Sequence, residues 1–144
     1  MVTDAELDAL DRLARGAVGL TAASLVVGDR ADLTIAQWRG LAVVADAAPE
    51  PTRVGEVAAR LGMSLPSASR LVRRLERHGL VSAARDERDR RVTLVSATTE
   101  GLRLHEAVIR HRRAAMRDLL RDRALPSDLA GGLASIAAAF DGLD

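Results

Sequence analysis

The sequence predicts a mainly α chain with a small β-hairpin wing. Three observations predict it. Apolar residues recur at helical spacing over most of the 144 positions. Glycines and prolines near the middle cut that pattern into short helices. Only two short runs, 80–84 and 92–96, read as strands, and they flank a stretch of pure charge. A chain of this length fits one domain, and 48% apolar content is ample to fill its core.

The first helix is expected over 4–27. Leu7, Leu10, Ala14, Ala17 and Val18 give it a broad apolar stripe, and Asp4 and Glu6 sit favourably at its positive end. Gly28 and Asp29 break it. Leu33-Thr34 starts a second helix, with Thr34 as N-cap and Ile35, Trp38, Leu41, Ala42 and Ala45 facing inward. The segment 47–51 is a loop, because its two prolines, Pro49 and Pro51, cannot continue a helix.

The stretch 52–95 organises the chain. Thr52 is placed as N-cap of a helix over 54–61. Gly62 ends that helix, since glycine alone takes the left-handed C′ conformation without a Cβ penalty. Ser64 caps the next helix, 65–78, and Pro66 is tolerated in its first turn. Ala58 and Gly62, four apart, supply the small residue and the sharp turn that two crossing helices need. Ala68, Leu71, Val72 and Leu75 make the buried face of this second helix, and Gly79 ends it. The polar stripe is Ser67, Arg70, Arg74 and Arg77, with Ser69 and Arg73 beside it. Arg85-Asp86-Glu87-Arg88-Asp89-Arg90-Arg91 then joins the two strands. Helix, tight turn, helix and basic hairpin make a winged helix-turn-helix core.

A long helix follows over 98–121. Its Leu102, Ile109, Met116 and Leu119 fall near a heptad seam, with His105 and Arg112 interposed. Leu125-Pro126-Ser127 breaks the chain, and Ser127 caps a last helix whose Leu129, Leu133, Ile136 and Phe140 share a face. These flanking helices have apolar stripes but no evident internal partner. They are expected to pack on each other and on a second subunit.

Charge is segregated. The net charge of +1 conceals 21 basic residues that are all arginine. Eight of them and four acids lie in 64–92, a surplus of four positive charges, and the rest of the chain is net negative. A basic face on a near-neutral body is the footprint of duplex binding. The alternative is an ordinary solvated surface. Aromatic content is 1%, so base stacking is excluded as a main mode, and with it readers of single strands. The absence of cysteine removes disulfides, thiolate zinc sites and thiol redox sensing. No apolar run approaches the roughly 20 residues of a membrane span, and no signal-peptide pattern opens the chain, so a cytoplasmic protein is expected.

The expected DNA-binding residues are Ser64, Ser67, Ser69, Arg70, Arg73, Arg74 and Arg77 on the second helix and its cap, with Arg88, Arg90 and Arg91 in the wing. Arginine bonds guanine bidentately or neutralises phosphate, and serine bonds either. Ser67, Arg70 and Arg74 are assigned to base edges or nearby phosphates, Arg73 and Arg77 to phosphate. In the wing, Asp86 and Asp89 are expected to brace arginines while Arg88 or Arg90 reaches the minor groove. His78, His105 and His111 are too scattered for a metal site. No paired acids or phosphate loop suggest catalysis, so no enzyme and no cofactor is expected.

Three pieces, in this order and spacing, resemble the MarR family of winged-helix regulators. They are Leu33-Thr34-Ile35-Ala36-Gln37-Trp38, the run from Ala68 to Val81, and Asp86 to Arg91 followed by Val95 to Gly101. Arg73 departs from a more usual Asp, which adds charge and puts base preference in doubt, and Ala97 departs from a more usual Leu, which should loosen one wing contact. The resemblance implies a single domain over 1–144, with the winged part at 33–97 and dimerisation helices at 1–30 and 98–144. It further implies a homodimer on a pseudo-palindromic operator in double-stranded DNA, usually a repressor. Relief by a small aromatic or phenolic effector is implied too, and Trp38, on the helix that borders the family's effector crevice, becomes a pocket candidate besides a core residue. The competing reading is a winged-helix protein-interaction module without sequence-specific DNA binding.

Overall fold

The computed structural model describes residues 1–26 and 33–141. The break expected at Gly28 and Asp29 and the side chain of Phe140 lie outside the described residues. The order is α1 (Asp4–Ser24), α2 (Ile35–Asp46), β1 (Thr52–Arg53), α3 (Val54–Leu61), α4 (Leu65–Arg77), β2 (Val81–Arg85), β3 (Thr93–Ala97), α5 (Thr99–Leu120) and α6 (Leu129–Asp141). The predicted mainly helical class with a small antiparallel wing is the observed one.

Local chemistry sets the boundaries. Thr34 caps α2 in a reciprocal box: its hydroxyl accepts the Gln37 N–H at 3.2 Å, and the Gln37 side chain accepts the Thr34 N–H at 2.8 Å. Thr3 and Glu6 form the same box at the start of α1. Gly62 and Gly79 both adopt positive φ, 61° and 71°, and stop α3 and α4 where expected. Thr98 caps α5 by accepting the Gly101 N–H at 3.0 Å.

Two expectations are corrected here. Thr52 does not cap α3. It lies in β1, opposite Val95, and is 1% exposed; Arg53 takes the cap position without a side-chain bond. β3 recruits this two-residue strand because a β-branched residue packs well on a pleated, buried surface. The sheet thus has three antiparallel strands in the order β1-β3-β2, with Ala83 opposite Val95 in the hairpin. Second, the last helix begins at Leu129, and the Gly132 N–H bonds the Asp128 carbonyl, so Asp128 and not Ser127 stands at its start.

The seam on α5, expected to face other end helices or a second subunit, is not the face that packs on the winged module. Gly101, Leu104, His105 and Val108 are buried, while Leu102 and Ile109 are half-buried and Met116 and Leu119 are exposed. The first half of α5 crosses the winged module, and that contact selects a face about a quarter turn from the seam. Leu7 and Val18 of the α1 stripe are likewise exposed. The core lies instead among α2, α3, α4, the sheet and early α5, where Leu41, Val57, Ala68, Leu75, Leu80, Val95 and Val108 are fully buried. Among the described residues, no helix is long and apolar enough to cross a membrane.

Candidate nucleic-acid interface

The inner face of α4 buries Ala68, Val72 and Leu75, and this fixes which way its arginines point. Arg70, Arg73, Arg74 and Arg77 are all exposed. Among the described residues none of the four lies within ion-pair distance of a carboxylate. At the helix start, the Ser67 N–H donates to Ser64 Oγ at 3.4 Å, and the Ser64 hydroxyl donates to Ser67 Oγ at 3.0 Å. Arg70 Nη2 then donates to Ser67 Oγ at 3.0 Å. Ser64, Ser67 and Arg70 therefore form one chain of bonds from the cap to a guanidinium. Arg70 commits one of its five donors and keeps its others for a ligand. Ser69 is half-buried and points to the wing side with Arg73.

The wing loop is closed by backbone bonds, Asp86 N–H to Val92 O at 3.0 Å and Val92 N–H to Asp89 O at 2.9 Å. Asp86 Oδ1 accepts the Arg88 N–H at 2.8 Å, and Asp89 Oδ1 accepts the Arg91 N–H at 3.0 Å. The two aspartates were expected to brace arginine side chains; they hold the backbone instead, in two successive Asx turns. The side chains of Arg88, Arg90 and Arg91 are left exposed at the tip. Arg85, absent from the expected set, fastens the hairpin: its Nη1 donates to Thr93 Oγ1 at 3.2 Å and to the Arg91 carbonyl at 3.5 Å. Glu76 of α4 accepts the Ala83 N–H of β2 at 3.0 Å and ties the helix to the wing.

Between α4 and the wing lies a cleft of about 620 Å³. Arg53, Arg73, Arg85 and Arg91 line it with Ser69, and among the described residues no acidic side chain does. Arg53 carries no signal because it stands alone in a loop-like stretch, and Arg85 because it opens the charged run, away from the tip where a groove contact is expected. Only the β1-β3-β2 order brings them together.

Trp38 lies away from this face, 9% exposed in the core. Its ring stacks on His105 with centroids 6.4 Å apart at 22°, and the Arg112 guanidinium carbon lies 4.8 Å from its centroid. His105 Nε2 is 3.6 Å from Asp46 Oδ1. Trp38 Nε1 is buried and finds no acceptor among the described residues. Histidine 105 is thus engaged with Trp38 and Asp46, and among the described residues no group of three His, Asp or Glu could hold a metal ion.

Comparison with known proteins places this geometry. Residues 31–92 match the family model of the MarR family. A search of curated protein sequences finds no significant match. Among solved structures, RV1404 from Mycobacterium tuberculosis is similar at 24% identity and a TM-score of 0.82, over 96% of this chain and 95% of that one. A MarR-family transcriptional regulator from Rhodococcus sp. RHA1 is similar at 25% identity and 0.76, over 99% and 96%. FabT from Streptococcus pneumoniae, solved in complex with DNA, is similar at 21% identity and 0.76, over 95% and 96%. The segment 31–92 thus matches the MarR family, and the chain carries the winged helix-turn-helix fold of these structures along nearly its whole length.

Proposed function

We propose that this protein is a homodimeric transcriptional regulator that binds a pseudo-palindromic operator in double-stranded DNA, acts as a repressor in the cytoplasm, and is released by a small aromatic or phenolic effector. The observation that carries the reading is the outer arc of α4, four exposed arginines without carboxylate partners among the described residues, with the arginine-tipped wing on its flank. The second helix of a helix-turn-helix enters the major groove, so this arc would face base edges and phosphates. FabT, on the same fold, was solved with DNA. Arg70 and Arg74 are the base-edge candidates, and Ser64 and Ser67 position Arg70. Arg73 and Arg77 face phosphate, and Arg88 or Arg90 of the wing reaches the minor groove, with Arg91 beside them on the DNA face.

The dimer is assigned to the end helices, 1–30 and 98–144, around the winged part at 33–97. Leu7, Leu13, Val18, Leu119, Leu120 and Leu133 are large apolar side chains left exposed on α1, α5 and α6. Among the described side chains of α6, only Leu129 and Ile136 are even half-buried. Such faces suit a second copy. The effector site is assigned beside Trp38, where a buried N–H without an acceptor among the described residues could bond a phenol or carbonyl oxygen. Leaving such a donor unpaired costs about 1–3 kcal/mol.

The deciding experiment is binding of wild type, Arg70→Ala and Arg74→Ala to a retained genomic fragment and to a scrambled duplex across a salt series. Each substitution should cost about 1–3 kcal/mol on the specific duplex and relax preference at one operator position per half-site. Both variants binding like wild type would reject the recognition-helix assignment and favour the protein-interaction module. Trp38 is the only tryptophan and there is no tyrosine, so its fluorescence reports on the effector site. A phenolic acid that releases DNA should quench it, and release without any change in that emission would place the effector elsewhere.

A further inference from the structure

We infer that the cleft between α4 and the wing is a seat for one sugar–phosphate strand, and that Arg53 and Arg85, which lie on neither the recognition helix nor the wing tip, are phosphate-binding residues of this protein. The inference rests on the DNA-binding reading above and deepens it. Adjacent major and minor grooves of a duplex are separated by a single backbone strand. A protein that places α4 in the major groove and the wing tip in the neighbouring minor groove must straddle that strand. The space available between the two elements is the cleft of about 620 Å³. Its charge suits the occupant. Arg53 enters from the end of β1, Arg73 from α4, Arg85 from the end of β2, and Arg91 from the wing. Among the described residues no acidic side chain lines the space, and none of the four arginines is ion-paired.

The two new residues differ in how they are held. Arg85 is fixed, with Nη1 bonded to Thr93 Oγ1 and the Arg91 carbonyl. A guanidinium so anchored still presents its remaining N–H groups in a fork that matches phosphate. Arg53 is exposed and makes no cap bond to α3, so nothing among the described residues consumes its charge. It occupies the N-cap position, where arginine supplies no side-chain acceptor for the free amides of the first turn. A role toward an outside anion accounts for a basic residue where a capping residue would stabilise more. Arg73 fits the same seat: on α4 it faces the wing side with Ser69, away from the Ser64–Ser67–Arg70 chain.

The test uses the full chain, with Arg53→Ala, Arg53→Lys and Arg85→Gln, on a genomic duplex that the wild type retains and on a scrambled duplex of equal length. Arg53 bonds its neighbours through backbone only, so Arg53→Ala should fold like wild type. Gln at 85 keeps a donor for the hairpin and removes the charge. Expected is a loss of roughly tenfold on both duplexes for Arg53→Ala and Arg85→Gln, as fits a charge-assisted bond. The ratio of specific to scrambled binding should stay unchanged, and the slope of log affinity against log salt should fall by about one per subunit. Arg53→Lys should retain most of the affinity. If both charge-removing variants stay within twofold of wild type with the same salt slope, the seat is wrong while DNA binding stands. A loss confined to the specific duplex would overturn it too, since Arg53 would then read bases. A wild type that retains no duplex at all would sink the DNA-binding reading itself.

Discussion

Replacing Gly101 with Ala should unseat the joint between the winged module and the long helix. A Cβ built at Gly101 would lie 2.0 Å from the Leu80 carbonyl oxygen, 3.0 Å from its carbon and 3.2 Å from Leu41 Cδ1. The first contact is more than an ångström inside ordinary van der Waals distance, and it is with backbone. Leu80 cannot step aside cheaply. It is fully buried, its N–H bonds the Leu75 carbonyl at 3.0 Å, and its oxygen accepts the Thr98 N–H at 3.1 Å. Thr98 is itself held by a hydroxyl bond to the Gly79 carbonyl at 2.7 Å. Overpacking a core costs about 1–3 kcal/mol, and an immovable carbonyl puts this site at the upper end. Losing the Thr98 bond adds about 1 kcal/mol. Alanine's better helix propensity returns at most about 1 kcal/mol. The net loss is about 3 kcal/mol, which for a chain of this size lowers Tm by roughly 10 °C. Gly55→Ala is the control, because a Cβ there meets nothing within 4 Å. Paired thermal melts decide the matter: if Gly101→Ala melted with Gly55→Ala at or above wild type, the close approach would not exist in solution.

Three further outcomes are expected. Changing Leu119 and Leu133, both exposed in the single chain, to Asp should turn a dimer into a monomer in light scattering; each unpaired charge buried at an interface costs about 3–5 kcal/mol and counts twice by symmetry. A wild type that is monomeric at micromolar concentration would refute the assignment. The Thr3 backbone N–H, and then its hydroxyl, hold the Glu6 carboxyl below the usual carboxylate range. That capping contribution is present above the unfolded-state pKa and lost as pH falls through the folded one. Protection of the first-turn amides of α1, taken relative to the intrinsic exchange rate at each pH, should therefore fall on acidification more than in Thr3→Ala; equal responses would count against it. Finally, Thr52 Oγ1 is buried and finds no partner among the described residues, so Thr52→Val should leave stability unchanged or raise it by up to about 1 kcal/mol, and a clear loss in urea titration would show a hidden bond.

The parts legible in the sequence were those governed by neighbours in the chain. Thr34, Ser64, Gly62 and Gly79 act within one turn of themselves, and their roles followed from spacing alone. The arc of α4 was legible for the same reason, because one period relates its buried and exposed faces. What stayed hidden depends on distant partners. Thr52 has the chemistry of a cap and of a strand, and only Val95, far along the chain, decides between them. Gly101 reads as an indifferent early helix position until Leu80 is placed against it. Arg53 and Arg85 carry no local signal of a shared cleft. The apolar residues of α1 and α5 did reveal helices, but periodicity does not tell a face packed within the chain from one left for another molecule. The seam and the packed face of α5 diverge for that reason.

The bond from Glu76 to β2 has a consequence for solubility. The hairpin's β2 is an outer strand, and a strand margin with free amides is a template for another chain's backbone. The Ala83 N–H points away from β3, and the Glu76 carboxylate occupies it and adds negative charge beside it. An incoming strand would meet a filled donor and a repelled carbonyl. In a helix otherwise rich in arginine, this one acid blunts edge-to-edge aggregation, so its loss would surface first as cloudy protein in concentrated stocks.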